Sequence, residues 1–458
     1  MGRRAVLLVA LGATACGPRA AAQGDAKRQA LVARIDSIVT AQVTAGKAAG
    51  ASIAVVQGQD VIRERGYGKA NLELAVPTPA HATYEIGSVT KQFTAAAIMQ
   101  LVEQGKINLD ADLHTYLPTY NSQGRKITVR RLLDHTSGIM GYTEMKEFGG
   151  LAATKLPRDT LVTLFSKQPF TFEPGEEESY NNSAFFLLGL IIEKVSGMPY
   201  AAYVQKNLFD RAGMADSYYC SETVVHPNHV TGYSADSAGF TQKEPLSHQW
   251  PFSAGSLCSS AVDLAAWNDA LHRRLAILGK AAHDEMMTPG TLNDGTTLGY
   301  AKGIAVYPRL GHRTWHHGGG INGFLSENLY FPDDSLSVIV LYNSTREGPD
   351  ATALAIAKAV LGEPKDPAVP IDGDVQRFVG KYAGSGRGGR QMQLEVTAAN
   401  NRVLATVPAL GDSLKPLVYV GHETFLSDEA RLIFSGTPAS SAKVRIDTGY
   451  GNNLLHRR

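Results

Sequence analysis

The sequence predicts an α+β protein in which an antiparallel sheet flanked by helices carries an inserted helical region and is followed by a small all-β module. Three observations carry this expectation. Hairpin signals lie near both ends of the first three quarters of the chain, the stretch between them is largely helical, and a proline-rich segment separates that part from alternating apolar runs.

Met1 to Arg4 is a short basic start, and Ala5 to Ala15 is an apolar run. At about ten residues, such a run is too short to cross a bilayer and fits the core of a secretory signal. Residues 1–22 are therefore expected to be a leader, with Ala20-Ala21-Ala22 as a peptidase site. The alternative is a lipoprotein signal ending before Cys16, because Ala13-Thr14-Ala15-Cys16 loosely resembles a lipobox; Cys16 would then carry a lipid anchor. Arg3-Arg4 also allows twin-arginine export. Either route places the protein outside the cytoplasm, periplasmic or secreted. No later apolar stretch reaches membrane-spanning length.

With Cys16 removed or lipidated, only Cys220 and Cys258 remain. In an oxidising compartment they form one disulfide or stay as two buried thiols; spacing alone cannot supply the geometry a bridge needs. Neither lies in a CxxC motif or among clustered histidines, and His312 with His316 or His317 lacks a carboxylate or HExxH helix. No metal and no cofactor is expected.

From Gln29 to Thr44 the apolar residues Leu31, Val32, Ile35, Ile38, Val39 and Val43 recur at helical spacing. Ala51–Val56 and Val61–Gly66 flank Gln57-Gly58-Gln59-Asp60, a hairpin signal. Asn328–Phe331 and Leu336–Leu341 flank Pro332-Asp333-Asp334, a second one. Ala351–Leu361 reads as a helix capped by Asp350 and ended by Gly362. These ends join in one sheet, giving a first domain over residues 28–362 with a cleft between sheet and helical insert. Residues 363–370, with Pro364, Pro367 and Pro370, form a linker, and residues 371–458 an all-β domain.

The composition is 44% hydrophobic and 19% charged, with 44 basic against 43 acidic residues. That excludes a disordered chain and gives no electrostatic footprint for nucleic acid. The expected partner is a small-molecule or peptide substrate.

Ser88-Val89-Thr90-Lys91 opens a helix in which Val89, Phe93, Ala97 and Leu101 repeat every four residues. Positions three apart on a helix face the same way, roughly 5 to 6 Å apart at Cβ. A hydroxyl and an amine thus meet where free N–H groups favour developing negative charge, which makes Ser88 a candidate nucleophile and Lys91 its candidate base. The bland reading is a capping serine with a surface lysine, and Ser440 and Lys443 repeat the spacing in a strand-like setting. Tyr180-Asn181-Asn182 presents a phenol and amides at another helix start, and His317-Gly318-Gly319-Gly320 suits a strand whose backbone approaches a ligand closely. The segment Gly384-Ser385-Gly386-Arg387-Gly388-Gly389 fits GxGxxG, yet it precedes a strand pattern rather than a helix, so the dinucleotide reading fails.

These segments, with Gly66-Tyr67-Gly68, Leu132-Leu133-Asp134-His135-Thr136-Ser137-Gly138 and Ser259–Trp267, resemble the class C β-lactamase and D,D-peptidase family of serine hydrolases. The resemblance implies a β-lactamase/transpeptidase-like fold and an acyl-enzyme on Ser88. It makes Lys91 the proton-handling neighbour, Tyr180 a general base or an acid toward the leaving group, and Asn182 the holder of a substrate amide. It places substrate on His317 and Gly319, and the oxyanion hole at the N–H groups of Ser88 and Gly320. Many members carry lysine where this chain has His317. Without that fixed cation, the expectation moves from antibiotic hydrolysis toward ester or D-peptide cleavage. A catalytically silent ligand-binding or sensor protein is the alternative, and the absence of GxSxG from the sequence excludes a conventional α/β-hydrolase elbow. The all-β module resembles the lipocalin-like domain often appended to this family.

Overall fold

A computed structural model describes residues 18–363, 368–387, 391–400, 402–406, 415–427, 430–437, 440–448 and 451–458. The basic start, Cys16, residues 364–367 of the expected linker and Gly388-Gly389 lie outside these.

Both predicted hairpins form and meet. Strand Gly50–Gln57 pairs antiparallel with Asp60–Asn71 on one side and with Leu336–Tyr342 on the other. The six-stranded sheet runs 315–321, 324–331, 336–342, 50–57, 60–71, 76–77. Its central strands are buried on both faces, Ile53, Val55, Val338 and Val340 on one and Ala54, Ile339 and Leu341 on the other, the pattern of a sheet covered on both sides. Helix Pro18–Thr44, which starts ahead of the expected Gln29, and helix Asp350–Leu361 cover one face through Ile35, Val39, Ala353 and Ile356. Asp350 is not the cap of its helix but its first residue, and its carboxylate pairs with Arg309.

The opposite face supports the helical region around helix Thr90–Glu103, whose residues from Thr90 to Leu101 are all buried. Helix Asn182–Ser196 packs against it, so the two segments that open with candidate site residues lie side by side. A three-stranded sheet of 83–85, 257–260 and 218–219 leads into Ser88. Its outer strand is bridged to the middle one by a Cys220–Cys258 disulfide, which resolves the two alternatives for these residues.

The C-terminal part is a nearly closed antiparallel barrel-like sheet, closed around Phe378, Phe425 and Phe434. Ser440 and Lys443 lie in one of its strands, so their spacing carries no helix. The barrel is not merely tethered. Its last strand pairs with the short strand Glu178–Ser179 of the first domain, and Arg445 pairs with Asp294 at 2.5 Å. Among the described residues no single helix is long and apolar enough to cross a membrane.

Candidate active site

Ser88 sits in a single 3-10 turn, Gly87–Val89, directly ahead of the Thr90–Glu103 helix. The turn is entered through Gly87 at φ +49°, a left-handed conformation open to glycine at little cost. A Cβ there would lie 2.9 Å from the Gly320 nitrogen, so the nucleophile turn and strand 315–321 touch through bare backbone. This contact sets the amides of Ser88 and Gly320 beside one cleft, where both residues form part of the wall.

Lys91 is fully buried one turn on, and its Nζ lies 3.1 Å from Ser88 Oγ, 2.8 Å from Asn182 Oδ1 and 2.8 Å from the Ala254 carbonyl. Burial pushes its pKa well below the ordinary lysine value, and the nearby Arg387 charge adds to this. A neutral amine has two protons and one lone pair. The Ala254 carbonyl and the Asn182 oxygen can only accept, so they take the two protons, and the lone pair is left for the Ser88 hydroxyl. The three contacts thus orient Lys91 as a base toward Ser88.

Asn182 is free for this because its neighbour does the capping. The Asn181 side chain accepts from the Ala184 amide at 2.9 Å and donates to the Ile139 carbonyl, which places Asn182 as the first helical residue, facing Lys91. Asn182 Nδ2 then donates to Thr143 Oγ1 at 3.2 Å.

Tyr180 closes the far side, 8% exposed, with its ring 4.7 Å from Lys91 Nζ. Burial pushes the phenol's pKa up, while hydrogen bonding to Ser88 and the Arg387 charge pull the other way. The phenol therefore holds its proton at neutral pH. Rings of His135 at 4.4 Å and His317 at 6.0 Å pack on it. His135 Nδ1 accepts from the Asn181 amide at 3.1 Å. Burial pushes both imidazoles well below the usual histidine pKa, leaving them neutral.

Of the residues expected to bind substrate, Asn182 lines the cleft, whereas His317 and Gly319 are not among its lining residues. His317 is fully buried behind Tyr180; its Nδ1 donates to the Gly318 carbonyl at 2.6 Å and its Nε2 accepts from Tyr300 Oη at 2.9 Å. Gly319 lies where an added Cβ would sit 2.1 Å from the Ile86 carbonyl, so it serves close packing of strand on turn. Gly320 and Ile321 line the cleft beside Ser88.

The cleft encloses about 500 Å³ and is walled beside Ser88 by apolar side chains, among them Tyr142, Phe148, Leu246 and Ile321. Thr143, Glu144 and Arg387 were not evident as site residues from the sequence. Arg387 comes from the barrel, forms an ion pair with Glu144 and lies 5.1 Å from the centre of the Tyr180 ring. Among the described residues no group of three or more His, Cys, Asp or Glu is placed to hold a metal ion.

A family model described as Beta-lactamase matches residues 35–363. The D-aminopeptidase of Gluconobacter oxydans (strain 621H) is 26% identical over 348 residues, covering 73% of this chain and 63% of that protein. The chain thus spans about three fifths of the length of the curated relatives it matches. The octameric penicillin-binding protein homologue from Pyrococcus abyssi superposes with a TM-score of 0.65 at 27% identity, covering 93% of this chain and 99% of that one. A D-stereospecific amidohydrolase from Streptomyces sp. gives a TM-score of 0.61 at 26% identity, over 71% of this chain and 97% of that one.

Proposed function

The chain belongs to the beta-lactamase family, and from that premise we propose that it is an exported serine hydrolase that cleaves amides or esters of D-amino acids through a Ser88 acyl-enzyme. The observation that carries the reading is the triple contact of Lys91 Nζ with Ser88, Asn182 and Ala254.

The steps follow from the geometry. Lys91 takes the Ser88 proton as Oγ attacks the substrate carbonyl, and the oxyanion forms beside the Ser88 and Gly320 amides. Each well-aimed donor is worth about 3 kcal/mol in a dry site. Tyr180, which keeps its proton, is suited to protonate the departing amine, and proton exchange across the Lys91–Tyr180 contact resets the pair. Asn182 holds the substrate amide, and water then releases the acyl group. Tyr142, Phe148 and Ile321 favour an apolar group on the acyl side.

The names of the relatives support D-amino-acid amides as the substrate class, since one is a D-aminopeptidase and one a D-stereospecific amidohydrolase. The buried, neutral His317 supports the same direction, because it offers no fixed charge for a β-lactam carboxylate. Export rests on the leader reading and is supported by the Cys220–Cys258 bridge, since disulfides persist in oxidising compartments. No observation favours a silent binding protein.

The test is intact mass after a fluorophosphonate probe, wild type against Ser88→Ala, followed by turnover of D- and L-phenylalanine amides and nitrocefin. Labelling of wild type alone and preference for the D-amide are expected. Labelling that survives Ser88→Ala overturns the nucleophile; faster turnover of nitrocefin than of either amide overturns the substrate class.

A further inference from the structure

The glycine-rich segment that fails as a dinucleotide loop has a different use. It ends a barrel strand, Gly380–Ser385, and carries Arg387 across to the first domain. There Arg387 Nη2 pairs with the Glu144 carboxylate and donates to Thr143 Oγ1 at 3.3 Å, the same oxygen that accepts from Asn182. Its guanidinium lies 5.1 Å from the centre of the Tyr180 ring, and Lys91 Nζ lies 4.7 Å from the same centre.

The charges around this pair can be enumerated. Lys91 and Tyr180 are faced by Ser88, His135, Tyr142, Glu144, His317 and Arg387, and burial raises the Tyr142 phenol well above its ordinary pKa, so it stays uncharged. Ser88 is uncharged and both imidazoles are neutral. A guanidinium keeps its charge throughout the range in which enzymes work. Arg387 is therefore the fixed cation of the group, and Glu144 its partial counterweight. A cation at this place opposes protonation of Lys91 and makes the Tyr180 phenol a better acid, which is what the proposed cycle requires of both.

We propose that Arg387 is a positioning residue of the active site, delivered by the barrel domain, whose positive charge holds the Lys91–Tyr180 pair in its working protonation state. It supplies from another domain the charge that the buried His317 does not. The proposal rests on the reading of Ser88, Lys91 and Tyr180 given above. Docking of the barrel does not depend on Arg387, since the backbone pairing of Glu178–Ser179 with Gly451–Asn452 and the Arg445–Asp294 pair hold it independently.

The test is the pH profile of kcat/KM for an uncharged p-nitrophenyl ester, measured on the full chain. The rising limb at low pH reports loss of the Lys91 proton. Removing a positive charge stabilises protonated Lys91, so Arg387→Gln should move that limb to higher pH by about 0.5 to 1 unit, after allowance for solvent screening. Arg387→Lys should stay near wild type, and Glu144→Gln, which leaves Arg387 unopposed, should move the limb to lower pH. An unmoved limb in Arg387→Gln overturns the proposal. So does an upward shift in Glu144→Gln as large as that in Arg387→Gln, because the pair would then act as a clamp and not through charge. A defect confined to substrates bearing a carboxylate also overturns it, in favour of direct substrate binding. If Ser88→Ala is still acylated, the underlying reading fails; if Ser88→Ala is inert and Arg387→Gln overlays wild type, this inference alone fails.

Discussion

Ser179 is paired with Gly451, so the strand that delivers Tyr180 to the cleft is hydrogen-bonded into the last strand of the barrel. A chain ended after Gly362 would keep every residue of the Ser88, Lys91 and Tyr180 set but lose the partner of this strand. Acylation by a fluorophosphonate, followed by intact mass, is expected to slow by about ten- to 100-fold, the cost of a misplacement near 1 Å. Wild-type rates in the truncated chain would show that the first domain positions Tyr180 unaided.

Lys91 and Tyr180 have separable roles that a change of leaving group exposes. Lys91→Met should lower turnover of amides and of p-nitrophenyl esters alike, by about 100-fold or more. Tyr180→Phe should harm amides far more, because p-nitrophenolate leaves without a proton. Equal losses on both substrates in Tyr180→Phe would place the phenol on the nucleophile side.

Gly87 at φ +49° touches Gly320 through backbone. Gly87→Ala adds a methyl 2.9 Å from the Gly320 nitrogen, and one of the two must give way. Loss of one oxyanion donor predicts acylation slower by about 100-fold, with substrate KM far less affected. A proportional rise in KM would instead indicate a collapsed cleft.

Glu178 is buried at the domain junction, and neither carboxylate oxygen has a hydrogen-bond partner among the described residues. Burial, with Asp447 and Asp134 nearby, raises its pKa well above the usual carboxylate range despite Arg431. A folded-state value above the unfolded one gives stability that is complete below the unfolded value and lost as pH rises through the folded one. Glu178→Gln should therefore gain stability relative to wild type as pH rises from about 5 to about 8. Denaturant midpoints at the two pH values check this; a constant gap would mean that Glu178 does not titrate there.

Much of this was legible in the sequence, and the failures share a cause. The hairpins, the Ser88–Lys91 turn and the β module follow from local periodicity and turn chemistry, which a linear pattern records. Asn181 and Asn182 are both helix-start residues, and only the fold shows that Asn181 caps while Asn182 faces Lys91. The run from His317 to Gly320 does not show in sequence which residue faces the cleft; strand alternation turns Gly320 outward and His317 into the core. Arg387 carried no signal, since its neighbours Glu144 and Tyr180 are brought to it by domain docking alone.

The Cys220–Cys258 bridge closes a 38-residue span, and in the chain-entropy view such a closure stabilises by about 4 kcal/mol. Its middle strand accepts from the Ile86 amide through the Leu257 carbonyl, two residues before Ser88. Oxidation thus reaches the wall behind the nucleophile directly. Before these thiols join, that wall is held without a covalent link, by strand pairing and by side-chain bonds such as Thr83 with Tyr218 and the Leu257 amide with Thr90.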